Sequence, residues 1–141
     1  MPTRSEAGKA LAGKGCQNQG MEIPSSMSLS FEAAVERPLS VVFQTSDGAW
    51  EGHDYRVEVI TARQGLDAFD VVMDFRELEA VMDRILAPLQ GRLLSEMGLA
   101  GPLELARKLA DELAPLVPAP AHLAEVALTD GRGRRIAVRP G

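Results

Sequence analysis

An α+β fold, with helices stacked on one face of an antiparallel sheet, is predicted by three observations. Apolar and polar residues alternate through residues 28–61, two amphipathic helical stretches follow between 74 and 116, and the chain closes on two short apolar runs around Asp-Gly-Arg-Gly. Strands grouped with strands and helices with helices point to that class.

Each element has its own local reason. From Met27 the pattern has period two: Leu29, Phe31, Ala33 and Val35 alternate with Ser28, Ser30, Glu32 and Ala34, as in a half-buried strand. Pro38 interrupts the run, and Leu39, Val41 and Phe43 then predict a second strand. Thr45–Gly52 (TSDGAWEG) is a loop. In YRVEVIT, Tyr55, Val57 and Val59 share one face while Arg56 and Glu58 take the other. FDVVMDF, residues 69–75, predicts a short strand that runs straight into a helix. Asp74 can cap that helix, with Glu77 completing a capping-box-like pair. Phe75, Leu78, Val81, Met82, Ile85 and Leu89 form its apolar stripe, and Pro88 and Gly91 mark its end. A second helix begins near Pro102, a tolerated first-turn residue, and runs to about Leu116 with Leu105, Leu109, Leu113 and Leu116 inward. Two strands around the DGRG turn close the chain, the strongest hairpin signal in the sequence.

The bulk numbers narrow the function. The 141 residues suit one core; 45% are hydrophobic and 25% charged, but only 4% are aromatic, so the core falls to Leu, Val, Ile, Met and Ala. A net charge of −5 argues against a sequence-independent grip on nucleic acid, which needs a basic face. The basic GRGRRIAVR end is read as a solvated edge. Residues 1–26 offer little to bury and are expected to form a flexible tail ahead of a domain spanning 27–141; Met21 and Met27 leave a later natural start open. Cys16 is the single cysteine, so no internal disulfide can form, which suits a reducing compartment. No apolar run approaches the roughly 20 residues that span a bilayer. Lys9 and Lys14 break the stretch where a signal-peptide core would sit, so a cytoplasmic protein without membrane contact is expected.

Taken in order, several short pieces resemble the 6-pyruvoyl-tetrahydropterin synthase family, which includes the 6-carboxytetrahydropterin synthases of queuosine biosynthesis. FEAAV (Phe31 to Val35) stands against the family's Phe-x-Ala-Ala-His strand. DGAWEGHDYRVEV (Asp47 to Val59) stands against Cys-x-x-x-His-Gly-His-x-Tyr-x-Val-x-Val. VVMDFREL (Val71 to Leu78) matches its strand-to-helix junction, and LQGRLLS (Leu89 to Ser95) sits in register with Leu-Asp-His-x-x-Leu-Asn. AGPLELA matches the second helix start at Leu105 and Ala106. The resemblance covers roughly residues 28–139, and MDFREL with GHDYRVEV at this spacing carries most of it.

It implies a tunnelling-type fold, a four-stranded antiparallel sheet with two helices on one face, assembled side by side into a homo-oligomer with active sites between subunits. It also implies zinc held by three histidines, a cysteine and an Asp-His pair that move protons, and a late glutamate that anchors the pterin ring. The departures bear on all of these. Val35 and Glu51 stand where the first two zinc histidines belong, and His53 where the third does. The chain has only two histidines, His53 and His122, so one subunit cannot build the three-histidine site. Asp47 takes the cysteine position, Gln90 and Gly91 replace the Asp-His pair, and the pterin-anchoring carboxylate falls on or near Asp130.

The candidate site residues are therefore Asp47 as a base, Glu51 and His53 as metal contacts, and Asp130 and Trp50 as ligand contacts. Each has a plainer reading: Asp47-Gly48 as a turn, Glu51 as a solvated loop charge, His53 as a strand-start residue, Asp130 as the hairpin's first residue, Trp50 as a partial lid on the core. No cofactor is expected, and zinc enters only if a neighbouring subunit or unexpected ligands complete the set. The favoured expectation is a diverged family member that binds a pterin- or purine-like molecule, or a partner chain, without zinc chemistry. The alternatives are an active synthase working through replacement residues, and a structural oligomeric interaction module.

Overall fold

The computed structural model describes residues 29–66 and 71–140. The expected tail, residues 1–26, lies outside these. Within them the order is β1 (Ser30–Gln44), β2 (Trp50–Gln64), α1 (Phe75–Leu86), α2 (Pro102–Leu113), β3 (His122–Thr129) and β4 (Arg135–Val138). Short 3-10 turns follow α1 at Ala87–Leu89, precede α2 at Leu94–Met97 and follow α2 at Ala114–Leu116. The strands make one antiparallel sheet in the order β1-β2-β3-β4, with Val57 opposite Leu128 and Leu128 opposite Ile136. This is the α+β architecture that the sequence predicts. Residues 29–31 and 63–66, which include the first two residues of β1 and the last two of β2, belong to a separate small unit in which Gly65 N donates to Leu29 O at 3.3 Å. Everything below concerns residues 32–62 and 71–140.

The sheet's inner face carries Leu39, Val41 and Phe43 from β1, Tyr55, Val57 and Val59 from β2, and Val126 and Leu128 from β3. The period-two alternation is thus the core face itself. Leu78, Met82 and Leu86 of α1 and Leu105, Leu109 and Leu113 of α2 complete the core. Each fully buried Leu or Val contributes roughly 1.5–3 kcal/mol by leaving water. Asp74 caps α1 as its spacing predicts, its Oδ1 accepting from Arg76 N at 2.9 Å.

Four expectations are corrected. The two strands predicted on either side of Pro38 are one, because the backbone of Pro38 faces the sheet edge and not β2. Gln90 Nε2 donates to Pro38 O at 2.9 Å from that side, so the missing N–H removes no ladder bond. The short strand predicted over FDVVMDF does not form: Val71–Met73 is irregular with only Met73 buried, and residues 69 and 70 lie outside the described ones. Phe75, assigned to the core, is 55% exposed at the helix start. Leu116 is 37% exposed, because the helix tightens into a 3-10 turn after Leu113 and rotates it off the buried stripe.

The β1 edge is covered from within. Ser40 N donates to Gln90 Oε1 at 3.1 Å, Gly91 N to Ser40 O at 2.7 Å, Val42 N to Arg92 O at 2.9 Å and Gln44 N to Ser95 Oγ at 2.9 Å. The segment 90–95 therefore satisfies the backbone groups that an edge strand leaves open. Gln90 and Gly91, which stand where the resemblance would put a proton relay, belong to this edge cover. Gly91 turns there with φ of 71°, a conformation that favours glycine.

Candidate functional site

The start of β2 and the β3–β4 hairpin enclose a cleft. Its volume is about 550 Å³, and it is lined by Glu51, Gly52, His53, Asp54, Asp130, Gly131, Arg132 and Arg134. A second hollow of about 330 Å³, lined by Tyr55, Pro102, Leu128 and Ile136, shares His53, Asp130 and Arg134 with it. Both volumes lie in the range of small-molecule sites, and a polar cleft adjoining an apolar hollow suits a flat, amphipathic ligand.

Glu51 and His53 point to the same side of β2, because side chains two apart on a strand share a face. Glu51 Oε1 and His53 Nε2 lie 3.1 Å apart. The His53 ring stacks on Tyr55 at 5.7 Å and 14° and meets Phe43 at 5.9 Å. Tyr55 is 6% exposed, and burial, helped by the Asp130 charge, raises its phenol pKa above the ordinary value of 10. Asp54 points the other way and accepts from Ser40 Oγ at 2.6 Å.

Asp130 closes the hairpin. Asp130 N donates to Arg134 O at 2.9 Å and Gly133 N to Asp130 O at 3.1 Å, with Gly133 at φ 79°, leaving Gly131-Arg132-Gly133 as the loop. Its Oδ1 accepts from Arg132 N at 2.8 Å and Arg134 N at 3.0 Å, and its Oδ2 from Arg134 Nε at 2.8 Å. The amide of Arg134, followed by that of Arg132 and the guanidinium, holds the carboxyl pKa below its ordinary value of 3.8. Asp130 is thus the hairpin's first residue and also lines the cleft.

Asp47 lies outside both cavities, in the β1–β2 turn. Its carboxylate accepts from Thr45 Oγ1, and from Ala49 N at 3.2 Å, and these bonds lower its pKa. Trp50 opens β2 at 69% exposure and lines neither cavity. Asp54, Arg132 and Arg134 are the charged cleft residues that sequence reading missed. The signal available for Arg134 was its position four after a turn-opening aspartate, which brings the two side chains together across the loop.

The residues present do not fit a three-ligand zinc centre. Val35 is packed in the core at 8% exposure, Glu51 and His53 are bonded to each other, and among the described residues no group of three His, Cys, Asp or Glu is close enough to hold a metal.

Comparison with known proteins adds the relatives. A sequence model of the 6-pyruvoyl tetrahydropterin synthase family matches residues 42–140. The 6-pyruvoyl tetrahydropterin synthase of Caenorhabditis elegans superposes with a TM-score of 0.68 at 13% identity, over 80% of this chain and 97% of that one. The Plasmodium falciparum enzyme gives 0.62 at 12%, over 79% and 98%. An uncharacterized protein from Wolinella succinogenes gives 0.57 at 13%, over 80% and 99%. At such identities the superpositions speak for the fold. No curated protein matches the chain in a sequence search.

Proposed function

We propose a function from one premise: the chain belongs to the 6-pyruvoyl tetrahydropterin synthase family. Within it the protein acts as a diverged member that binds a pterin- or purine-like molecule without the family's zinc-dependent catalysis. The observation that carries this reading is that Asp130 lines both the polar cleft and the apolar hollow. A carboxylate there can accept paired N–H bonds from a ring edge, while Tyr55, Leu128 and Ile136 offer the ring an apolar surface. Self-association belongs to the same reading, since β4 is the sheet edge that segment 90–95 leaves uncovered.

The test is a fluorescence titration of the full chain with a set of pterins and a purine control. Saturable binding that Asp130→Ala abolishes supports the reading. Absence of binding at any soluble concentration overturns it.

A second reading, residual synthase-type catalysis by replacement residues, is favoured by the Glu51–His53 bond alone. A carboxylate orienting an imidazole in a cleft is the arrangement of a general base. Turnover of pathway substrates that is lost in His53→Ala supports it; turnover indistinguishable from buffer excludes it.

A further inference from the structure

Asp130 is not an open carboxylate. Its Oδ1 is taken by two backbone amides of its own hairpin and its Oδ2 by Arg134 Nε. The Asp130 side chain is 15% exposed and that of Arg134 is 67% exposed, so the guanidinium is the solvent-side member of the pair. Asp130 and Arg134 also line both cavities together.

From this geometry we propose that Arg134 is an internal occupant of the ligand site, bonding Asp130 where a ligand would, and that a ligand enters by displacing it. The inference rests on the ligand-binding reading above. A guanidinium and the N3–H and amino edge of a 2-amino-4-oxopyrimidine ring are both planar groups with adjacent N–H donors, and both suit the in-plane lone pairs of a carboxylate. The ligand class is thus narrowed to rings that carry such an edge. A ring with neither the amino group nor the N3–H lacks the donors that replace the arginine.

The hairpin does not depend on the guanidinium. Oδ1 keeps its two amide bonds, and Asp130 N to Arg134 O and Gly133 N to Asp130 O remain whatever side chain stands at 134. Arg134→Gln therefore removes the competitor and leaves the loop. An exposed ion pair of this kind shifts an equilibrium by roughly two- to fivefold, which sets the size of the effect.

The experiment titrates full-length wild type and R134Q with 2-amino-4-oxopteridine, and with an analogue that lacks the 2-amino group and is methylated at N3, so that its edge carries no N–H. R134Q is expected to bind the amino compound roughly two- to fivefold more tightly and to gain nothing for the analogue. Wild-type binding with R134Q equal or weaker overturns the displacement and leaves the binding reading standing. An equal gain for both compounds also overturns it, because the effect would then owe nothing to the donor edge. No binding by either protein removes the binding reading and the inference with it.

Discussion

Asp130 serves a turn and a cleft, and its protonation should affect the turn. Its lowered pKa, like that of Asp47, means that the folded state holds the ionised form more tightly than the unfolded chain does. That stability is fully present above the unfolded carboxylate pKa near 3.9 and is lost as pH falls through the lower folded value. Urea midpoints should therefore fall below about pH 4, and Asp130→Asn should flatten that acid limb. Tyr55 gives the opposite window. Its raised pKa favours the neutral phenol in the fold, so its contribution is present below about pH 10 and declines as the unfolded tyrosine ionises first. Tyr55 is the only tyrosine, so an absorbance titration of the phenolate should show a midpoint above that of the same chain in urea. That Glu51 and His53 share one side of β2 was legible from period two; that they bond each other was not. The carboxylate of Asp130 was legible as a turn or as an anchor, whereas its capture by Arg134 was signalled only by the four-residue spacing, because loop geometry decides which side chains meet across it.

At the scale of elements, the alternation of β1 and β2, the α1 cap and the DGRG hairpin could be read directly, since each is a local preference written in a few residues. Asp74→Ala should cost about 1 kcal/mol by leaving the first-turn amide of Arg76 without its partner, seen as a lower urea midpoint with an unchanged slope. The edge cover was not legible. Nothing local in LQGRLLS says that Gln90 will stand in for a strand residue, donating to Pro38 O and accepting from Ser40 N. Gln90→Ala removes both bonds at an exposed edge and should destabilise the protein by about 1 kcal/mol in the same assay. The split of β1 at Pro38 had the same origin: a proline is harmless on an edge, and which strand is the edge is settled only by the whole sheet. The missing strand at Val71–Met73 shows the converse. A short apolar run reads alike as a strand or as a plug for the core, and Met73 plugs it.

For the whole molecule, no helix among the described residues is long and apolar enough to cross a membrane. Among the described residues the two sheet edges differ: β1 is covered along Pro38–Gln44, and no segment bonds the outer side of β4. If the chain self-associates as proposed, sedimentation equilibrium should return a multiple of the single-chain mass; a monomer at every concentration excludes it. As proposed, the cleft between β2 and the β3–β4 hairpin holds a ligand through Asp130 and needs no metal to do so. Pterin affinity measured side by side in excess chelator and in saturating zinc tests it most directly. The same affinity in both buffers is the predicted result. Binding that appears only with zinc would overturn metal-free binding, because it would require a metal centre assembled from ligands beyond Glu51 and His53.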